Sequence, residues 1–275
     1  MVMSMKKWLK LALAGMMVMG LCACGKTDEA VTGNVQATDE IVSEHNVFVV
    51  GFDQEFPPMG FVDEKGEFTG FDLELAAEAA KRMGMELKLQ PIAWDAKDME
   101  LESGTIDCIW NGFTMNGRED GYTWTTAYMD NTQVFVVAAD SEIRTLEDLA
   151  GKTVEVQADS SAEAALKEMP DLMASFGTVQ TTPDYNTAFM DLEMGAVDAI
   201  AMDIIVAGYQ IEQRQNGCII LDEAIASEEY GIGFKKGNEA LRDKVQTALE
   251  EMAADGTMAE ISQKWFGKDV TTIGK

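Results

Sequence analysis

At 275 residues the chain is long enough for one large domain or two small ones, and an apolar share of 47% can fill a real core. Charge is out of line: 48 acidic against 21 basic residues give a formal net charge of −27, which is repelled by phosphate backbones and argues against nucleic-acid binding. One histidine (His45) and four cysteines (Cys22, Cys24, Cys108 and Cys218), with no CxxC or CxxH spacing, leave almost no material for a metal centre or histidine-dependent catalysis. No metal and no cofactor are expected.

The first ten residues carry Lys6, Lys7 and Lys10, and residues 11–24 form an uncharged apolar run shorter than the ~20 residues of a membrane span. The run ends Leu21-Cys22-Ala23-Cys24-Gly25, which resembles a bacterial lipoprotein signal. Cys24 fits as the acylated residue because small Ala23 precedes it, whereas Cys22 follows the bulky Leu21. That resemblance implies a signal peptide over residues 1–23 and attachment to the cell membrane through Cys24. Residues 24–44 are polar, acidic and aperiodic and read as a flexible tether, with His45 at the surface beyond it.

From residue 47 onward, short apolar runs alternate with amphipathic segments, the pattern of an α/β protein. Val47–Phe52 is a strand, and Glu64-Lys65-Gly66-Glu67 a turn. Phe71–Met83 places Phe71, Leu75, Ala79 and Met83 on one helical face, with capping-box spacing from Thr69 to Asp72 and Gly84 as a stop. Strands follow at residues 87–92, 106–110, 133–138, 153–157, 197–202, 218–221 and 230–234. Helices are expected at 96–103, 146–150, 161–169 (stopped by Pro170), 185–194, 204–215, 239–253 and 258–266. The segment Gly151-Lys152-Thr153 is not a phosphate loop, because Leu146 stands where that motif needs its first glycine.

Residues 101–109 echo residues 192–200: Leu-Glu-Ser-Gly-Thr-Ile-Asp-Cys-Ile against Leu-Glu-Met-Gly-Ala-Val-Asp-Ala-Ile. Both read as helix end, glycine cap and buried strand, which fits either a chance recurrence of a common unit or two similarly built lobes. Ligands of open α/β sheets gather beyond the carboxyl ends of strands, so residues 111–118 and Asp203 are candidate site positions. Arg118 offers a planar fork for a carboxylate, and Asp203 an acceptor for an ammonium group. Ser160 and Ser161 sit at a helix start, where free backbone N–H groups suit a carboxylate.

The segment Gly70-Phe71-Asp72-Leu73-Glu74-Leu75-Ala76-Ala77-Glu78-Ala79-Ala80 resembles the signature of family 3 solute-binding proteins, the polar amino-acid receptors of ABC importers. The likeness extends in order from about residue 47 to residue 267. It takes in residues 53–58, Trp94-Asp95, Ser103-Gly104-Thr105-Ile106-Asp107, residues 146–152, Gly256-Thr257 and Lys264-Trp265-Phe266-Gly267. The resemblance implies a two-lobed, periplasmic-binding-protein-like (Venus flytrap) α/β fold. Residues 45–133 plus 230–275 would form one lobe and 134–229 the other, with crossings near 134–137 and 229–233. It implies that Gly112, Thr114, Arg118, Ser160 and Ser161 hold a ligand carboxylate and Asp203 its ammonium. Asp53, Glu55, Phe56, Trp94 and Asn111 would face the ligand side chain. Two departures stand out: the usual Thr-x-x-Arg is replaced by Asn116-Gly117-Arg118, and Asp159 stands where glycine is common.

The expected function is therefore an extracytoplasmic, monomeric binding protein that delivers a free amino acid to the membrane subunits of an importer, and not an enzyme. Its rivals are a small-acid dehydratase using Asp53, Glu55 and Asp203 for acid–base work, and a sensor domain. Cys108 and Cys218 would fall in different lobes, reduced and buried.

Overall fold

A computed structural model describes residues 46–215 and 217–275; the expected signal peptide, the tether, Cys22, Cys24 and His45 lie outside the described residues. No helix among the described residues is long and apolar enough to cross a membrane.

The apolar run β1 (Val47–Phe52) leads into a small antiparallel sheet of β2 (Glu55–Phe56), β3 (Gly60–Val62) and β4 (Phe68–Thr69). Then come α1 (Phe71–Met83), β5 (Glu86–Pro91), a 3₁₀ turn at Trp94–Ala96 and α2 (Lys97–Ser103). Strands β6 (Cys108–Thr114), β7 (Tyr122–Trp124) and β8 (Met129–Ala138) complete the first half of the chain. The second half runs through a 3₁₀ turn at Glu147–Leu149, β9 (Thr153–Gln157), α3 (Ser161–Lys167), α4 (Pro170–Ser175), β10 (Thr178–Thr182) and α5 (Tyr185–Glu193). It continues with β11 (Ala199–Asp203), α6 (Ile204–Arg214), β12 (Cys218–Ile220) and β13 (Ala226–Lys235), and closes with α7 (Glu239–Asp255) and α8 (Thr257–Phe266).

The main sheet has the order β10-β9-β11-β8-β13-β6-β1-β5. Parallel pairing of β1 with β5 and β6 organises one lobe, and parallel pairing of β9 with β10 and β11 the other. Strands buried on both faces read as continuous apolar runs, and β6 is buried along its whole length. Phe135, Val137, Val154 and Val156 pack with Leu149 and Leu166 behind the second lobe's strands. Trp94, Ile109, Phe113 and Trp124 pack behind those of the first.

The echoed segments occupy equivalent places. Gly104 and Gly195 both end helices in the left-handed region, at φ 77° and 71°, where glycine carries no Cβ penalty. The aspartate that follows each then pins a neighbouring strand: Asp107 accepts from the Val49 N–H (2.7 Å) and Asp198 from the Thr153 N–H (2.8 Å). The repeat is one structural device used twice.

The structure corrects several expectations. Residues 134–137 do not cross between the lobes; they pair with β11 and β12 inside one of them. The antiparallel crossing is the earlier, polar part of each long strand, from Met129↔Tyr230 to Gln133↔Ala226. No side chain caps α1: its N-cap is Gly70, so Thr69 plays no such part, and Asp72 turns inward. Pro170 does not merely stop a helix but begins α4 at the position where its missing N–H costs nothing.

Candidate functional site

Residues from both lobes converge on a cavity of about 10 Å³ lined by Phe56, Trp94, Asn111, Gly112, Thr114, Arg118, Gln157, Ser160, Ser161 and Asp203. The expected site positions are thus brought together, except for Asp53 and Glu55. Those two line a more open neighbouring cavity of about 400 Å³, with Trp94 common to both. Their carboxylates bridge the lobes instead. Asp53 accepts from Gln157 Nε2 (2.7 Å) and from the Glu55 N–H (2.9 Å), and Glu55 accepts from Asn186 Nδ2. Burial raises the Asp53 carboxyl to about 6, against the lowering effect of these two donors.

Arg118 follows β6 and lies over the Phe113 ring at 5.3 Å. Its Nη1 donates to the Thr114 carbonyl and its Nη2 to the Asp159 carbonyl, both at 3.3 Å. The shortened Asn116-Gly117-Arg118 segment therefore still delivers the guanidinium to the cavity, and no acidic group among the described residues forms an ion pair with it.

Asp203 ends β11 and is buried, at 3% exposure. Three side chains donate to one of its oxygens, Oδ1: Asn131 Nδ2 (2.7 Å), Gln133 Nε2 (2.8 Å) and Tyr230 Oη (2.6 Å). No side chain of the described residues donates to Oδ2. Burial, and secondly the charge of Glu228, raise this carboxyl to about 7.

Ser160 caps α3, its hydroxyl accepting from the Glu163 N–H (3.1 Å), and the Ser161 hydroxyl accepts from Gln133 Nε2 (3.0 Å). The Thr114 hydroxyl donates to Glu228 (2.9 Å). Gly112 departs from its expected part. Its N–H is committed to the buried Asp72 at 2.6 Å and cannot also donate to a ligand carboxylate. Asn111 is buried and lines the cavity, yet neither its Oδ1 nor its Nδ2 has a protein partner. A buried amide left so is costly unless something else fills its valences.

Asp159, the departure from glycine, sits at φ 58° and is neutralised across the cleft by Lys97, whose ammonium reaches both its carboxylate and its carbonyl. Lys97, Gln157, Asn131, Gln133 and Glu228 escaped the sequence reading. Gln157 adjoins the serines and was within reach of it. The others lie in a helix start and in polar strand segments that carry no local signal.

Residues 48–268 match the family described as bacterial extracellular solute-binding proteins, family 3. The chain belongs to that family. It is 34% identical over 233 residues to an L-cystine-binding protein of Escherichia coli, TcyJ, covering 84% of this chain and 86% of that one. It is 30% identical to a probable amino-acid-binding protein of Bacillus subtilis, YxeM, over 99% of this chain and all of that one. Among solved structures, a histidine-bound substrate-binding protein of an ABC uptake transporter from Streptococcus pneumoniae superposes with a TM-score of 0.80 at 35% identity, over 82% of this chain and 95% of that chain. The fold is thus the two-lobed one of extracytoplasmic transport proteins. The family member is an amino-acid-binding protein serving an ABC importer and not an enzyme, so the dehydratase alternative is not supported.

Proposed function

We propose that the cavity holds one free polar amino acid, its carboxylate on Arg118 and the serine loop and its ammonium on Asp203. One observation carries this reading. A guanidinium and a carboxylate, each without an opposite charge from the described protein, line the same cavity. Its free volume is about 10 Å³, so an amino acid would enter only as the lobes part and reclose around it. Asn111 would supply hydrogen bonds to the ligand, and Phe56 and Trp94 would flank its side chain. Gly112 acts through the backbone position that Asp72 fixes, rather than as a carboxylate donor.

The lobes, taken as residues 45–133 plus 230–275 and residues 134–229, close because the ligand makes both sets of contacts only when they meet. The importer's membrane subunits would read that closed shape. The protein would work as a monomer outside the cytoplasm, held to the membrane by acylation of Cys24.

A thermal-shift screen of the twenty amino acids with cystine and ornithine tests the reading, because a ligand at a hundred times its Kd adds ~2.7 kcal/mol. Names among the relatives make L-cystine and L-histidine the first candidates. Arg118→Ala and Asp203→Ala should each weaken binding at least about tenfold, since truncating one partner of a buried charge pair costs ~2–5 kcal/mol. Unchanged affinity in both variants would refute the assignment.

A further inference from the structure

The ammonium pole contains a second buried acid. Glu228, on the crossing part of β13, is 7% exposed. Its Oε2 takes Thr114 Oγ1 (2.9 Å), Asn131 Nδ2 (3.2 Å) and Gln133 Nε2 (2.9 Å). The last two nitrogens also serve Asp203 Oδ1 (2.7 and 2.8 Å), so two side-chain amides are shared between two carboxylates. No lysine, arginine or histidine among the described residues forms an ion pair with either acid. Two buried carboxylates that share donors and lack a cation cannot both stay ionised cheaply.

We infer that in the empty cleft Asp203 keeps a proton because Glu228 faces it across the shared amides, and that a bound ammonium group expels this proton to solvent. The exchange balances: protonated site plus zwitterion gives ion-paired complex plus one H⁺. Oδ1 is already filled by three donors, so Oδ2 is the atom that carries first the proton and then the ammonium contact.

The other groups around the pair do not supply the missing charge. Tyr230 donates to Asp203 and lies beside Tyr128, and Tyr185 faces both acids. Burial holds all three phenols well above their ordinary range, so they stay neutral. Asp53, beyond Tyr185, adds more negative charge. Arg118 lines the cavity too, but its guanidinium lies over the Phe113 ring and donates to the Thr114 and Asp159 carbonyls, forming no ion pair with either acid. Glu228 thereby makes recognition of an amino group pH-dependent. Ligand needs the ionised Asp203, so affinity is full above about pH 8 and falls below it, by about fiftyfold between pH 7 and pH 5.

This inference rests on the amino-acid reading for its ligand and not for its proton, so two measurements separate them. Carbon-13 carboxyl NMR of the ligand-free protein should show a side-chain carboxyl titrating near pH 7 that Asp203→Asn abolishes and Glu228→Gln shifts down by about one pH unit. An Asp203 carboxyl titrating below about pH 5 would overturn the proposal. Calorimetry then follows L-cystine, L-histidine or L-arginine, whichever raises the melting temperature most, in phosphate and in Bis-Tris at pH 6.5. About three-quarters of a proton should leave per molecule bound, almost none at pH 8.5, and less than half as much in Glu228→Gln. A binding heat independent of buffer at pH 6.5 would overturn the inference with the amino-acid reading intact. Failure of all three amino acids to bind would count against that reading and leave the titration to decide the proton.

Discussion

Lys97 offers a direct measure of how far closure depends on contacts the ligand does not make. It begins α2 in one lobe, is 1% exposed, and donates to the carboxylate of Asp159 and its carbonyl (3.3 Å) in the other. Its remaining contacts, with the Trp94 carbonyl (3.4 Å) and ring (5.1 Å), lie within its own lobe and survive opening. Only the Asp159 contacts therefore bear on the open–closed equilibrium. The Asp159 side chain is 57% exposed, so solvent screening holds the ion pair to about 1 kcal/mol, and the long carbonyl bond adds about 0.5 kcal/mol. Losing both should raise Kd about tenfold, since about 1.4 kcal/mol is one decade. Lys97→Met keeps the apolar stem and removes the charge. Asp159→Gly keeps the carbonyl, suits φ 58° and should cost about fivefold. Isothermal titration of the two single variants and the double variant gives the coupling directly, and the double variant should bind no more weakly than Lys97→Met within about twofold. Strictly additive losses, or wild-type affinity in Lys97→Met, would refute the reasoning.

Three further outcomes follow from buried groups. Asp72 is fully buried and holds the Gly112 N–H (2.6 Å) and the Tyr128 hydroxyl (2.9 Å), so Asp72→Ala strands two donors and should cost ~2–5 kcal/mol in urea unfolding. Asp53, Asp72 and Asp203 have folded-state values raised by burial to about 6, 7 and 7. Raised carboxyls contribute stability that is complete below their unfolded range near pH 4 and is lost as pH climbs through 6–7. The ligand-free protein should accordingly melt higher at pH 5 than at pH 8, and the reverse order would contradict the assigned shifts. Cys108 and Cys218 are free and buried, and burial pushes the Cys108 thiol up. Mass mapping after treatment of the native protein with a thiol reagent should find Cys108 unmodified until the chain unfolds.

The sequence made the buried framework legible because parallel strands and amphipathic helices write themselves in apolar spacing. Val47–Phe52, Phe71–Met83 and Thr153–Gln157 fall where the pattern puts them. Short or polar elements left no such trace. The strands of the small sheet are two or three residues long, and Thr178–Thr182 is an edge strand with a single valine. The crossing halves, Met-Asp-Asn-Thr in β8 and Ala-Ser-Glu-Glu in β13, read as loop because their partners are each other and their side chains are mostly polar. Arg118, Asp203 and the serines were legible because they stand at strand ends. Asn131, Gln133 and Glu228 were not, because a polar residue inside a strand becomes a site only when a distant strand brings it a partner.

That blind spot coincides with the mechanical centre of the molecule. Among the described residues the crossing pair is where each strand belongs to both lobes, and Asn131, Gln133 and Glu228 stand on it. From there Gln133 reaches Ser161 and Asp203 of the second lobe, while Glu228 takes the hydroxyl of Thr114 from the first. A rotation about the crossing that opens the cleft must stretch this set of bonds, because their two ends move with different lobes. On the proposed reading a ligand ammonium would replace the proton on Asp203 one for one and so join the same set of bonds. On that reading, gripping the ligand and holding the lobes shut would be a single event at the crossing, a role that a polar interior can serve and an apolar hinge could not.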